Sequence, residues 1–226
     1  MMNIDRLKDI TTFIFDMDGL LINSEPFWQE IEKKVFLELD IVITERDLKD
    51  SMGLKNTEVV ALMMNRYKIN GIPTQVLCDK IEQGVVEKIV TEGKLMKGSI
   101  DMLTYCRERG LNISLATSSS FKIIHAVLDA LQIRQFFREI NSAYDEQYGK
   151  PHPAVFLKAA DRLGAMPHQC LVLEDSVNGV IAAKAAKMFT VAIPDASDYQ
   201  NPKFSIADQK FLSLVDCHQH LIQLNL

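Results

Sequence analysis

The sequence predicts an α/β protein built on a parallel sheet with a helical block inserted early, and three observations carry that prediction. Four short apolar runs rich in β-branched or aromatic residues stand at Thr12 to Phe15, Asn112 to Ala116, Cys170 to Leu173 and Phe189 to Ile193. They are nearly continuous in hydrophobicity, as strands buried on both faces must be. Helical patterns separate the later runs, and the stretch from Ser24 to Lys94 shows helical spacing throughout, with no convincing strand.

The first run is the first strand. After it, Trp28, Ile31, Val35 and Leu39 share one helix face, as do Val59, Met63 and Tyr67, and then Leu77, Ile81, Val85 and Ile89. These i, i+4 stripes are packing faces. A connection of this length with its own structure is a lid or an inserted domain rather than a loop, so residues 24–94 are expected to form a cap on a core made of 1–23 and 95–226. Gly93 and Gly98 bracket the return crossing as hinge points. Crossover helices are expected at Ser99 to Arg109, Phe121 to Gln132, Pro153 to Leu163 and Val177 to Lys187, with an irregular connection over Asp195 to Pro202. A short strand or loop and a final helix then follow from Ile206.

Composition narrows the function. With 226 residues, 47% of them hydrophobic and 24% charged, the chain is an ordinary globular protein. A net charge of -5 and the absence of a basic run exclude a nucleic-acid backbone as the expected partner. Cys78, Cys106, Cys170 and Cys217 are scattered without CxxC spacing and read as reduced, buried thiols. The opening MMNIDRLKDITTF lacks the apolar core of a secretion signal, and no run approaches the roughly 18 apolar residues of a membrane span. A cytoplasmic protein with no membrane partner is expected, and nothing demands more than a monomer.

In an open parallel sheet, ligands gather beyond the carboxyl ends of the strands, so the residues following each strand matter most. Asp16-Met17-Asp18-Gly19 follows the first, Thr117 to Ser120 the second, and Glu174-Asp175-Ser176 the strand at 170, while Gly149-Lys150-Pro151-His152-Pro153 precedes a helix. Crowded carboxylates are unfavourable unless a cation neutralises them, and an all-oxygen ligand set suits Mg²⁺. Hydroxyls and free N–H groups at a helix start suit phosphate oxygens, and Lys150 adds a positive charge. Each element alone is commonplace; their order and their shared place at strand ends are not.

FDMDGLL, LATSSS, GKPHP and LEDSVNGVIAAKAA resemble, in order, the four motifs of the haloacid dehalogenase-like hydrolase superfamily. The helical insertion is similar to that of its phosphoglucomutase-like, cap-bearing branch, and the DMDGLL…SEP…W, KPHP and EDSVNG stretches look closest to bacterial hexitol phosphate and 2-deoxyglucose 6-phosphate phosphatases. The resemblance implies a Rossmann-like core and a Mg²⁺-dependent phosphatase acting on small sugar or sugar-alcohol phosphates. By matching motif positions, Asp16 is the nucleophile that forms an aspartyl-phosphate, and Asp18 is the proton donor to the leaving alkoxide and the base for the water. Asp16, Asp18 (through its carbonyl) and Asp175 are the implied metal ligands, with Glu174 acting through water or orienting Asp175. Thr117, Ser118 and Lys150 hold the phosphoryl group.

Substrate choice is expected in the cap, at Lys55 and Asn56 and at Glu25, with Trp28 either packing or facing the sugar. Asn23, Lys97, Ala154 and Lys187 depart from residues frequent in the family without removing any of these groups. Three other readings exist: a β-phosphoglucomutase-like phosphotransferase, which returns the phosphoryl group to a sugar; a halide-releasing dehalogenase, whose relatives lack the second aspartate that Asp18 provides here; and a non-catalytic regulatory relative.

Overall fold

The computed structural model describes residues 7–51 and 53–224. Its chain runs β1 (Thr12–Phe15), then four helices in succession, α1 (Glu25–Leu37), α2 (Glu45–Ser51), α3 (Asn56–Tyr67) and α4 (Thr74–Glu92). It continues through α5 (Ser99–Glu108), β2 (Asn112–Thr117), α6 (Phe121–Ala130), β3 (Glu139–Ser142), α7 (Ala154–Arg162), β4 (Cys170–Glu174), α8 (Val177–Ala185), β5 (Phe189–Ala192), β6 (Gln209–Lys210) and α9 (Leu214–Gln223).

The sheet order is β3-β2-β1-β4-β5-β6, and every pairing is parallel. β1 lies between β2 and β4, with Phe15 opposite Leu115 on one side and Leu173 on the other. Side chains alternate across a strand, and both faces here are apolar. Phe13 and Phe15 enter the cluster that contains Met102 and Leu103 of α5 and Cys217 and Leu221 of α9. Ile14 enters the opposite one, with Phe156 of α7 and Ala182 of α8. Covering both faces in this way is what a parallel sheet requires.

The four expected strands are present. β3 was not expected: it has only four residues, includes a glutamate and an asparagine, and is fully buried only toward Ser142. α2 was also missed, being a short, charge-rich helix. The four cysteines are free and buried, as expected. No helix among the described residues is long and apolar enough to cross a membrane.

The helical block is tied to the core through two adjacent crossings. Past β1, Gly19 turns at φ 78, and its N–H donates to the Ile22 carbonyl at 2.9 Å. Ile22 bridges Leu95 on the returning chain, and Met96 N–H donates to the Leu21 carbonyl at 2.8 Å. Gly98, at φ 90, leads into α5. The stripes Ile31–Val35 and Leu77–Ile81–Val85–Ile89 face each other, with Ile81, Val85 and Ile89 fully buried.

Candidate active site

The carboxyl ends of β1, β2 and β4 converge beneath α1, α3 and α4 in one cleft. Asp16 follows β1 directly and is buried. Lys150, only 2% exposed, reaches it from the loop before α7: Nζ donates to Asp16 Oδ1 at 2.6 Å, to the Ala116 carbonyl at 3.2 Å, and to Glu174 Oε1. Burial works against the Lys150 ammonium, but the charges and hydrogen bonds of Asp16 and Glu174 prevail and hold its pKa above the ordinary lysine value. Glu174 is fixed from its other side, where Ser176 N–H and Oγ donate to Oε2 at 2.9 and 3.0 Å. Ser176 caps α8, and the absent side chain of Gly179 leaves room for the carboxylate, since a Cβ there would lie 1.8 Å from Glu174 Oε1.

Oxygens of Asp16, Glu174 and Asp175 lie within 4.8 Å of one another. Burial, with Glu174 and Asp18 adding to it and Lys150 opposing, pushes the Asp16 carboxyl up to about 8. Asp175 is likewise raised by burial and by the charges of Glu174, Asp16 and Glu25. Three crowded acids served by one ammonium leave negative charge uncompensated, and their all-oxygen donor set fits a hard divalent cation such as Mg²⁺. Gly19 shapes the same cradle: a Cβ would fall 2.0 Å from Asp175 Oδ2.

Asp18 is oriented by four donors. Ser24 Oγ and Trp28 Nε1 reach Oδ1 at 2.6 and 3.2 Å, and Ser119 Oγ and Thr117 Oγ1 reach Oδ2 at 2.7 and 3.3 Å. Its side chain is therefore separate from the three clustered acids. Sequence reasoning did not assign Ser24 and Ser119 to Asp18, and it offered Trp28 only as packing or sugar-facing; a hydroxyl in a loop carries no sign of the carboxylate it will meet.

Thr117, Ser118, Asn56 and Glu25 all line the cleft. Ser118 also joins the two parts of the molecule, its Oγ donating to the Gly53 carbonyl at 2.9 Å. Lys55 is not brought to the cleft. Its Nζ donates to the Glu146 carbonyl at 3.0 Å and lies 3.9 Å from Glu58 Oε1, so it straps α3 to the core. Gly149 N–H adds a second strap to Glu58 Oε1 at 3.3 Å, and Ser120 donates to Glu82 of α4 as a third. Several lining residues went unnoticed in the sequence, among them Ser51, Glu82 and Glu32 of α1, which is 7% exposed.

The haloacid dehalogenase-like hydrolase family matches residues 13–193. The chain is a haloacid dehalogenase-like hydrolase. This hydrolase is 37% identical to hexitol phosphatase B of Escherichia coli over 92% of its own length and 95% of that protein. In fold it is similar to CbbY from Rhodobacter sphaeroides, solved in complex with phosphate, with a TM-score of 0.82 and 22% identity over 92% of this chain and 96% of that one. It is also similar to β-phosphoglucomutase from Clostridium difficile, with a TM-score of 0.81 and 22% identity over 95% and 96%. The expected fold, a parallel α/β core with a helical cap, is the one these proteins share.

Proposed function

We propose that this hydrolase is a Mg²⁺-dependent phosphatase that cleaves small sugar or sugar-alcohol phosphates, of hexose, hexitol or 2-deoxyglucose 6-phosphate type, through an aspartyl-phosphate on Asp16. The observation that carries the reading is the pairing, in one cleft, of a buried Lys150–Asp16–Glu174 network with a separately oriented Asp18. The likeness to hexitol phosphatase B supports the substrate class.

Asp16 attacks phosphorus, and the bond from phosphorus to the leaving oxygen breaks. Asp18 gives a proton to the departing alkoxide. In the second half it takes a proton from the water that attacks the phosphorylated Asp16, freeing phosphate and restoring both groups. The donors on Asp18 suit this exchange. Trp28 N–H can only donate, so Oδ1 stays an acceptor, whereas the Thr117 and Ser119 hydroxyls can rotate and accept. The transferable proton accordingly resides on Oδ2. Lys150, with the Thr117 hydroxyl and the Ser118 N–H, offers positive charge and donors to the phosphoryl oxygens. Asp16, Asp175 and Glu174, with the Asp18 carbonyl, are the residues that would hold Mg²⁺, which when bound neutralises phosphoryl charge and favours the ionised form of Asp16.

Residues 24–94 act as the cap over a core of 1–23 and 95–226, turning about the paired crossings at Ile22 and Leu95, and Asn56 and Glu25 face the sugar. Every group in the scheme comes from one chain, consistent with a monomer, and four buried free thiols suit the reducing cytoplasm. The test is phosphate release from a panel of hexose, hexitol, pentose and short-chain phosphates, with Mg²⁺ and with chelator. Mg²⁺-dependent release, together with a hydroxylamine-sensitive phosphoryl label that is lost in Asp16→Asn, is expected. Full activity in chelator, or full turnover in Asp18→Asn, refutes the scheme.

A further inference from the structure

In the catalytic half of the cleft Asp16, Asp18 and Glu174 have hydrogen-bond donors, and the acids clustered with Asp175 are accounted for as a cation site. The cap half is different. Glu32 is more than nine-tenths buried, lines the cleft, and has no hydrogen-bond or ion-pair partner among the described residues. On the same wall, Asn56 spends its amide on the Cys78 carbonyl at 3.0 Å, while its Oδ1 is enclosed without a donor. An enclosed acceptor without a donor is costly and uncommon, so Asn56 Oδ1, beside a Glu32 carboxylate that has no protein partner and opens onto the same wall, points to something that arrives with hydroxyl or N–H groups.

Charge narrows what can arrive. Among the described residues lining the cleft, Lys150 is the only cation, and Asp16 and Glu174 already engage it. Lys55 is turned away to Glu146. Lys122, at the rim, stands 3.4 Å from Glu82, which leaves no net positive charge there. The cap wall therefore presents Glu25, Glu32 and Glu82 with Asn56, Ser51 and the Trp28 ring.

We propose that this wall, with Glu32 as its open polar group, selects a monophosphate whose far end is uncharged and polyhydroxylated, and turns away substrates carrying a second anionic group. The proposal rests on the phosphatase reading above. Hydroxyls of a polyol can give Glu32 and Asn56 Oδ1 the donors they lack. Burial, with the Glu25 charge adding to it, pushes the Glu32 carboxyl up to about 8. Near neutrality it can thus donate as well as accept, which complements a hydroxyl in both senses. A second phosphate or carboxylate on the substrate finds no cation on this wall, and burying it there unpaired is unfavourable. The rejection extends to the sugar bisphosphates that a phosphoglucomutase-type exchange must hold, so hydrolysis of monophosphates is the reaction this cap favours.

The experiment compares kcat/KM with Mg²⁺ for glucitol 6-phosphate, fructose 1,6-bisphosphate, 2-phosphoglycolate and 4-nitrophenyl phosphate, in the native protein and in Glu32→Leu and Glu32→Gln. The native protein is expected to favour glucitol 6-phosphate over both substrates that carry a second anionic group by roughly a hundredfold or more. Glu32→Leu should lower the ratio of glucitol 6-phosphate to 4-nitrophenyl phosphate about tenfold, while Glu32→Gln, which keeps a donor and an acceptor, stays within about threefold of native. Equal use of the bisphosphate, or a ratio unmoved by Glu32→Leu, overturns the inference while 4-nitrophenyl phosphate hydrolysis keeps the phosphatase reading standing. No Mg²⁺-dependent release from any of the four removes that reading and the inference with it.

Discussion

Replacing Glu32 by glutamine should stabilise the protein, and by more as the pH rises. Burial and the neighbouring Glu25 charge hold the folded Glu32 carboxyl at about 8, against roughly 4.3 for an unfolded glutamate. Below the unfolded value both states are protonated, and the residue adds no pH-dependent term. Between the two values the folded chain keeps a proton that the unfolded chain has lost. Stability then falls by up to roughly 1.4 kcal/mol per pH unit until the folded value is passed. The charged groups around it do not relieve this, since Glu25 shares its helix, Glu82 and Asp18 share the cleft, and Lys150 is taken. Glutamine has nothing to ionise, so the advantage of Glu32→Gln over the native protein should grow by roughly 3 kcal/mol at most from pH 5 to pH 7. At about 2–4 °C per kcal/mol for a chain of this size, that is a widening of several degrees in melting temperature. Urea or thermal unfolding of both proteins across pH 4 to 8 measures it, and taking the difference cancels every other titrating group. A constant difference across that range, or a variant less stable than native at pH 7, refutes the account of Glu32 as an unpaired buried acid.

Trp28→Phe removes one N–H from Asp18 while keeping an aromatic ring, and should lower kcat about tenfold with little change in KM, read by steady-state kinetics. Gly19→Ala combines a strained left-handed residue with a methyl inside the Asp175 carboxylate, and should abolish activity together with Mg²⁺ binding measured by calorimetry. Asp47, buried in α2, accepts from Thr44 N–H at 2.8 Å, Tyr67 Oη at 2.6 Å and Arg66. Burial raises its pKa, but those donors together prevail and depress it. Its contribution is therefore complete above the unfolded value of roughly 3.9 and is lost as the pH falls below it. Asp47→Ala should cost about 2–4 kcal/mol at pH 7 in denaturant unfolding, with the difference from native shrinking in acid.

What the sequence made legible was whatever is repeated or ordered along the chain. β1, β2, β4 and β5 are continuous apolar runs, and the cap helices advertise themselves by stripes. The loops of the candidate site could be placed because a parallel sheet brings the ends of its strands to one side. β3 escaped because Glu139-Ile140-Asn141-Ser142 carries no apolar run. Its burial comes from its neighbours β2 and α7. Lys55 and Glu32 show the other limit. A long side chain at the start of α3 could reach either the cleft or the core, and only the packed loop at Glu146 decides between them. Glu32, beside Ile31 in an acidic and basic run, has the look of a solvated helix face until α4 and the core close over it.

The contrast between the two halves of the cleft carries a consequence for how such a site can change. In the core, Lys150, Asp16, Glu174 and Ser176 form a chain in which each member satisfies another. Removing any one leaves a buried charge or donor stranded, which is destabilising. On the cap wall, Glu32 is the buried, unpaired acid, so replacing it is expected to release stability and, on the proposed reading, to alter what binds. If the proposed function holds, substitutions in the core network are opposed by folding and by chemistry together, whereas those at Glu32 are opposed by substrate choice alone. On that reading the half that handles the phosphoryl group is held fixed while the half that meets the leaving group is free to vary.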